Sequence, residues 1–297
     1  MKMLGQFFIV IRRDPVLVLC AVLLIVVILA ALAGIRFTGY TYDQISSASL
    51  QSPSWQHPFG TDVNGHDLLT RTLFGAQISL LVAAAATAVS LTVGVTYGMI
   101  SGYAGGRIDN AMMRLVEIAY SLPTLVLVIV VVTMLDRPTA ALLHQLDLNF
   151  VQPRLLLIIA FLGLTQWFTM ARIIRGQMLV LKEQAFVQAS QALGQSHLRL
   201  LWRHLLPNLS GLIVVYLTLT IPAVMLDESF MSFLGVGVPA PLASWGTLVS
   251  DAALQINPIK LYWWLLVFPG LFMTATLLAL NFLGDGLRDA FDPRVKK

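Results

Sequence analysis

Along the chain, long apolar runs alternate with short polar intervals. Six of these runs approach the roughly 20 residues needed to cross a bilayer: about 15–34, 78–101, 115–135, 154–174, 209–231 and 261–283. Between the fourth and fifth the pattern turns amphipathic. From Lys182 to Asn208 (KEQAFVQASQALGQSHLRLLWRHLLPN) it predicts two short helices joined at Gly194. In the first, Phe186, Ala189 or Ser190, Leu193 and His197 recur at three- and four-residue spacing and share a face, while Lys182, Glu183, Gln184, Gln188 and Gln191 fall largely elsewhere. Gly194 supplies a backbone that can bend, and Pro207, which has no N–H to donate, suits the first turn of a new helix.

Composition agrees with a membrane protein. Of 297 residues, 57% are hydrophobic and 11% charged, against about 25% charged in soluble domains, too little to cover a water-soluble globule of this size. The first run could be a secretory signal, because Arg12 and Arg13 precede it and Ala31-Leu32-Ala33 resembles a cleavage site. Its apolar core exceeds that of a signal peptide, so it is expected to be retained as an anchor. The single cysteine, Cys20, lies in that run, so no internal disulfide is possible.

The net charge of +4 is explained by topology rather than by nucleic acid. With six spans, one side collects Lys2, Arg12, Arg13, Arg107, Arg114, Arg172, Arg175, Lys182, Arg199, Arg203, Arg288, Arg294, Lys296 and Lys297; the other has Arg36, Arg71, Arg137, Arg154 and Lys260. Positive residues favour the cytoplasm, so both termini and the Lys182–Asn208 stretch are expected there. The opposite face carries loops at about 35–77, 136–153 and 232–260. The chain is expected to divide into 1–77, holding the N-terminal segment, first span and long outer loop, and 78–297, a five-helix core.

Several positions invite a functional question. Pro123 follows Ser121 near a helix start, where proline costs little; Pro222 and Pro269-Gly270 interrupt the fifth and sixth spans, as packing kinks or as hinges. Ala83 to Ala86, Ser90 and Gly94 suit close helix packing. Asp227 and Glu228 sit near the outer end of the fifth span, as part of a translocation pathway or gate, or solvated at the interface if the helix ends early. In the outer loop FGTDVNGHDLLTR (59–71), Asp62, His66 and Asp67 could gather a metal, but a capped turn leading into a short helix is the better reading, and no metal site is expected. The sequence has no H-E-x-x-H, G-x-S-x-G or G-x-x-x-x-G-K-[ST], so no catalytic residue is expected and nucleotide energy would come from another subunit.

The segment Phe186-Val-Gln-Ala-Ser-Gln-Ala-Leu-Gly194, with twelve residues to Pro207-Asn208, resembles the EAA loop of ATP-binding cassette (ABC) importer permeases. FGTDVNGHDLLTRTLFGAQISL (59–80), EIAYSLPTLVL (117–127), LTQWFTMARIIRGQMLVL (164–181), ESFMSFLGVGVPAPLASWGTLVSDA (228–252) and PGLFMTATLLALNFLGDGLRDAFDPR (269–294) resemble the second permease subunit of dipeptide, oligopeptide and nickel importers. The resemblance implies an all-α fold of six transmembrane helices with a cytoplasmic coupling-helix loop, the type I importer permease fold, in a bacterial cytoplasmic membrane. It implies a half-transporter that pairs with a homologous permease, two ATPase subunits holding ATP and magnesium, and an extracytoplasmic binding protein received by the outer loops. Gln188, Ala189 and Ser190 occupy the EAA positions and Gly194 the following glycine. Phe186, Ala189, Leu193 and Gly194 are the expected docking surface, with Pro207 closing the loop.

Departures from the family pattern stand beside it. Gln188 replaces the usual glutamate, so an uncharged hydrogen bond would replace an ionic contact with the ATPase. His66 and Gln77 replace arginines, and Asp227 replaces a small residue before Glu228, which points to an altered, positively charged substrate. Peptides are the expected cargo, with nickel or another small solute the alternative. An ion-driven secondary transporter would usually carry paired discontinuous helices or internal repeats, and a membrane scaffold would not need the amphipathic pair.

Overall fold

A computed structural model describes residues 14–148, 151–256 and 260–291; the expectations at Lys2, Arg12, Arg13, Arg294, Lys296 and Lys297 lie outside them. Helix α1 (Pro15–Ala33) starts where the Asp14 side chain accepts a hydrogen bond from the Val16 amide, with Pro15 in the first turn, and ends in a 3₁₀ turn over Gly34–Phe37. Then come α2 (Leu68–Ala104), α3 (Gly106–Ser121), α4 (Thr124–Gln145), α5 (Pro153–Lys182), α6 (Ala185–Ala192), α7 (His197–Leu200), α8 (Leu206–Phe233), α9 (Trp245–Leu254) and α10 (Trp263–Phe291). Among the described residues there is no strand, only an isolated bridge between Thr61 and Asp67.

Six helical segments are long and apolar enough to cross a membrane: Pro15–Phe37, Leu68–Ala104, Thr124–Gln145, Pro153–Lys182, His197–Phe233 and Trp263–Asp289. Two differ from the sequence-based spans. The second begins ten residues early, because Asp67 caps it directly, its side chain accepting from the Thr70 amide; the short helix expected after the capped turn is the first turn of the span itself. The third begins at Thr124 rather than near 115. Residues 106–121 form a separate amphipathic helix, and Leu122 is extended at φ −83° and ψ 143° before Pro123 at the N-cap of α4. A residue before proline is pushed out of the helical region, which breaks an otherwise continuous apolar run.

The structural centre is the pairing of α2 with α5. Gly94, Gly98 and Gly102 lie in one stripe on α2, and a side chain on Gly98 would come within 2.5 Å of the Ala171 carbonyl oxygen and 2.9 Å of Ile174 Cβ. The backbones meet because there is no Cβ between them, as membrane helices do where small residues line the contact. Of the expected small-residue contact surface, Ala83, Ala86, Ser90 and Gly94 are buried, whereas Ala84 is exposed and Ala85 half-buried because they fall on the far side of the helix from that stripe. Around them Val82, Ile158, Leu162, Val224 and Met225 form one apolar cluster. A second, towards the other end of the pair, joins Met99, Ile174, Met178, Val187, Leu200, Leu205 and Leu209. Helix α1 packs on α10 and α2, and the expected boundary at residues 77 and 78 falls inside α2.

Helix α9 is keyed into the other end of α2. Ser244 and Thr247 form a capping box at its start, Trp245 donates through its indole N–H to the Thr72 carbonyl at 3.0 Å, and its amide donates to Ser79 Oγ at 3.0 Å. Trp245 is fully buried.

Candidate functional site

The amphipathic stretch forms a compact turn after α5. Helix α6 covers Ala185–Ala192, Leu193 caps it, and Gly194 turns the chain at φ 76°, a left-handed conformation in which a Cβ would be strained. The second expected short helix is instead the beginning of the fifth span. Helix α7 continues through a π-helical segment, Leu201–Leu205, directly into α8. Pro207 stands just after that segment, two residues into α8. A proline ring clashes with the carbonyl four residues back, and the wider π turn is a usual way to accommodate such a break.

The expected docking residues lie on the outside. Phe186 is 40% exposed and Leu193 88%, and Gln188, Ala189 and Gly194 are exposed, with Ser190 half-buried and donating to the Phe186 carbonyl. The Gln188 amide reaches back to the Glu183 carbonyl at 3.3 Å, on its own loop. Val187, which periodicity does not single out, faces inward and is fully buried in the Met178–Leu209 cluster. Removing its side chain from water contributes about 1.5 kcal/mol, and it pins α6 to the spans while Phe186 and Leu193 stay free. Leu198 and Trp202, after the turn, are exposed as well and border a separate apolar groove with Val95 and Met99 of α2.

Tyr103, near the end of α2, ties this turn to the core. Its hydroxyl lies 2.5 Å from His197 Nδ1 and accepts from Gln191 Nε2 at 3.4 Å. Beside it, Arg175 of α5 donates two bonds to Asp109 of α3, at 2.5 and 2.6 Å, and Ser101 donates a third. The Arg175 guanidinium holds the Asp109 carboxyl below its ordinary value, against the opposing effect of burial. Lys182 closes the same corner by donating to the Gly102 carbonyl at 3.0 Å.

At the other end, the 59–71 loop is held by its carboxylates. Asp62 accepts from the Asn64 and His66 amides and from Arg71 at 2.8 Å, and Asp67 pairs with His57 at 2.9 Å while capping α2. The capped turn is present, with Asp67 as its cap. Asp251 of α9 lies close by; burial pushes its carboxyl up, with Arg71 opposing and Asp62 adding to the rise.

Asp227 and Glu228 point to different surroundings. Asp227 is half-buried and accepts from Gln166 of α5 at 2.7 Å. Glu228 is 1% exposed and accepts through Oε1 from Ser232 at 2.8 Å and Ser244 at 2.7 Å. The helix runs to Phe233, so the alternative in which it ends early and both carboxylates are solvated is overturned. Glu228 instead joins α8 to the start of α9. Pro222 is buried inside α8.

Residues 94–297 match the model of the family described as binding-protein-dependent transport system inner membrane component. The chain belongs to this family. It is similar to the oligopeptide transport system permease protein OppC of Bacillus subtilis (strain 168), with 40% identity over 96% of this chain and 88% of that one. It is also similar to the dipeptide transport system permease protein DppC of the same organism, with 44% identity over 82% and 71%. OppC of Escherichia coli (strain K12) is 42% identical over 91% and 85%. In structure it matches a chain from the inward-facing MetNI methionine ABC transporter, with TM-score 0.53 and 16% identity over 75% of this chain and 97% of that chain. The family fold is therefore that of an all-α, multi-pass permease subunit of an ABC importer, which works with ATPase and substrate-binding subunits in a bacterial inner membrane.

Proposed function

We propose that this chain forms half of the membrane pathway of an ATP-driven importer of dipeptides or oligopeptides. Its exposed α6 surface, Phe186, Gln188, Ala189, Leu193 and Gly194, seats in one of two ATPase subunits, which bind ATP and magnesium and do the hydrolysis. A homologous permease supplies the other half of the pathway, and a binding protein delivers peptide to the outer loops. Both termini and α6 are cytoplasmic. The chain itself is non-catalytic and carries no cofactor.

The carrying observation is the geometry of α6: a helix with one buried anchor, Val187, and an exposed apolar face. Closure of an ATPase dimer moves such a helix, and the movement biases the spans between two packings, giving alternating access. Half-buried Asp227 is the better placed of the two adjacent carboxylates to act at the gate, with Pro222 five residues before it on the same helix; Glu228 holds the gate helix to α9.

The relatives named above are oligopeptide and dipeptide permeases, which supports peptide over nickel as cargo. Uptake of labelled di- and oligopeptides and of nickel, in cells with and without this chain, tests the reading. Peptide uptake should depend on the chain; loss of nickel uptake alone would overturn it. Asp227→Ala should alter uptake of cationic peptides more than neutral ones, and equal uptake of both would end the idea that Asp227 selects charge.

A further inference from the structure

A cavity of about 320 Å³ opens between the capped end of α2, the first turn of α5, α9 and the segment after α8. Arg71, Arg154 and Asp251 line it. Arg71 is 7% exposed and donates to Asp62 at 2.8 Å, yet its Nε is buried without a hydrogen-bond partner among the described residues. Arg154 donates to the Gly235 carbonyl at 3.3 Å, and its Nε is likewise buried and unpartnered. An unpaired buried donor costs about 1–3 kcal/mol, and both of these incompletely satisfied guanidinium side chains border the same cavity.

The chemistry of the wall narrows the ligand. Guanidinium groups recognise planar carboxylates through paired N–H bonds and do not ligate metals. Asp251 offers the opposite charge in the same cavity, suited to an ammonium. Arg71 and Arg154 are balanced by Asp62 and Asp251, so a ligand with one charge of each sign enters without leaving a net charge behind, whereas a simple anion or cation would not. The volume is that of a small-molecule site, too small for a folded partner.

We propose that this cavity holds the charged ends of a short peptide on its way into the pathway, the α-carboxylate at Arg71 and Arg154 and the α-ammonium at Asp251. The proposal rests on the peptide-importer reading and adds a peptide site on the permease itself, distinct from the binding protein. Thr247 and Ser250 on the same wall supply hydroxyls for the peptide backbone.

The test uses the assembled complex in lipid nanodiscs without the binding protein. Saturation-transfer NMR measures binding of trialanine, its C-terminal amide and its N-acetyl derivative. The free peptide should bind about tenfold more tightly than either blocked form, the weight of one charge-assisted hydrogen bond. Arg154→Gln should remove the advantage over the amide, and Asp251→Asn the advantage over the N-acetyl form, each leaving the other discrimination in place. Equal weakening of all three peptides, no effect of either substitution, or no binding to the wild-type complex overturns the site. Trialanine uptake by the wild-type complex with its binding protein, measured in liposomes, separates the two claims: uptake without permease binding removes only this site, and absence of uptake removes the importer reading as well.

Discussion

The hydroxyl of Tyr103 lies 2.5 Å from Nδ1 of His197 and accepts from Gln191, so one side chain near the end of α2 touches both arms of the turn at Gly194. Tyr103→Phe keeps the ring and deletes both bonds. Each neutral bond is worth about 1 kcal/mol, about 2 kcal/mol for the two, so peptide-stimulated ATPase activity of the reconstituted complex should fall by up to about thirtyfold while the subunits still assemble. Unchanged stimulation would show that α6 is positioned without Tyr103.

The glycine stripe on α2 gives a stability prediction with its own control. Gly98→Ala places a methyl against the Ala171 carbonyl and Ile174 and should destabilise by about 1–3 kcal/mol. At Gly176, in α5, an added methyl would meet nothing within 4 Å, so Gly176→Ala should be neutral or stabilise by about 0.5–1 kcal/mol. Thermal unfolding in detergent compares the two; similar melting for both variants would mean the backbones do not touch at Gly98.

The Asp109–Arg175 pair makes stability depend on pH in a defined sense. A carboxyl held below its ordinary value in the folded chain contributes stability fully present above the unfolded value and lost as pH falls through the folded one. Asp109→Asn should therefore cost about 2 kcal/mol at neutral pH, and the gap to wild type should close only below about pH 4. A gap that persists undiminished at pH values of about 2, well under the ordinary carboxylate range, would assign the effect to packing.

At α6 the structure separates fold from docking. Gly194 has open space around it, so Gly194→Arg, although strained at φ 76° by about 1–2 kcal/mol, should leave a folded chain that no longer co-purifies with an ATPase. Among the described residues, Gln188→Glu gives up only the side-chain amide's bond to the Glu183 carbonyl and should keep or raise coupled ATPase activity. A clear fall would show a docking surface built around the amide.

How much of this was legible in the sequence follows the range of each signal. Apolar runs marked the spans, and Lys and Arg placement a topology, because both depend on residue type alone. Asp67 as a cap was readable, but that the cap opens the second span was not, since residues 68–77 are mixed in polarity and become helical through burial against α9. The break at Pro123 was visible as a residue and missed as a boundary. The exposed residues of α6 emerged from periodicity, whereas Val187 did not, because one valine among alanines carries no pattern until the α5 and α8 surfaces meet it. Arg154 counted only towards topology, and the fold alone brings it beside Arg71 and Asp251, which lie far from it in the sequence on either side.

Arg71 and Tyr103 belong to the same helix. Between them α2 runs through Leu68–Ala104 with no proline, and at 1.5 Å per residue about 48 Å of continuous hydrogen-bonded backbone separates them. Because the glycine stripe seats α2 on α5 backbone to backbone, the pair resists sliding and behaves as a stiff rod with an outer and an inner end. If nucleotide binding at a partner ATPase changes the affinity of the cavity at Arg71 for its ligand through this helix, that ligand must change the affinity for nucleotide by the same factor. Measured ligand affinity at that cavity, with and without nucleotide, would then put a number on how stiffly one helix joins two sites at its opposite ends.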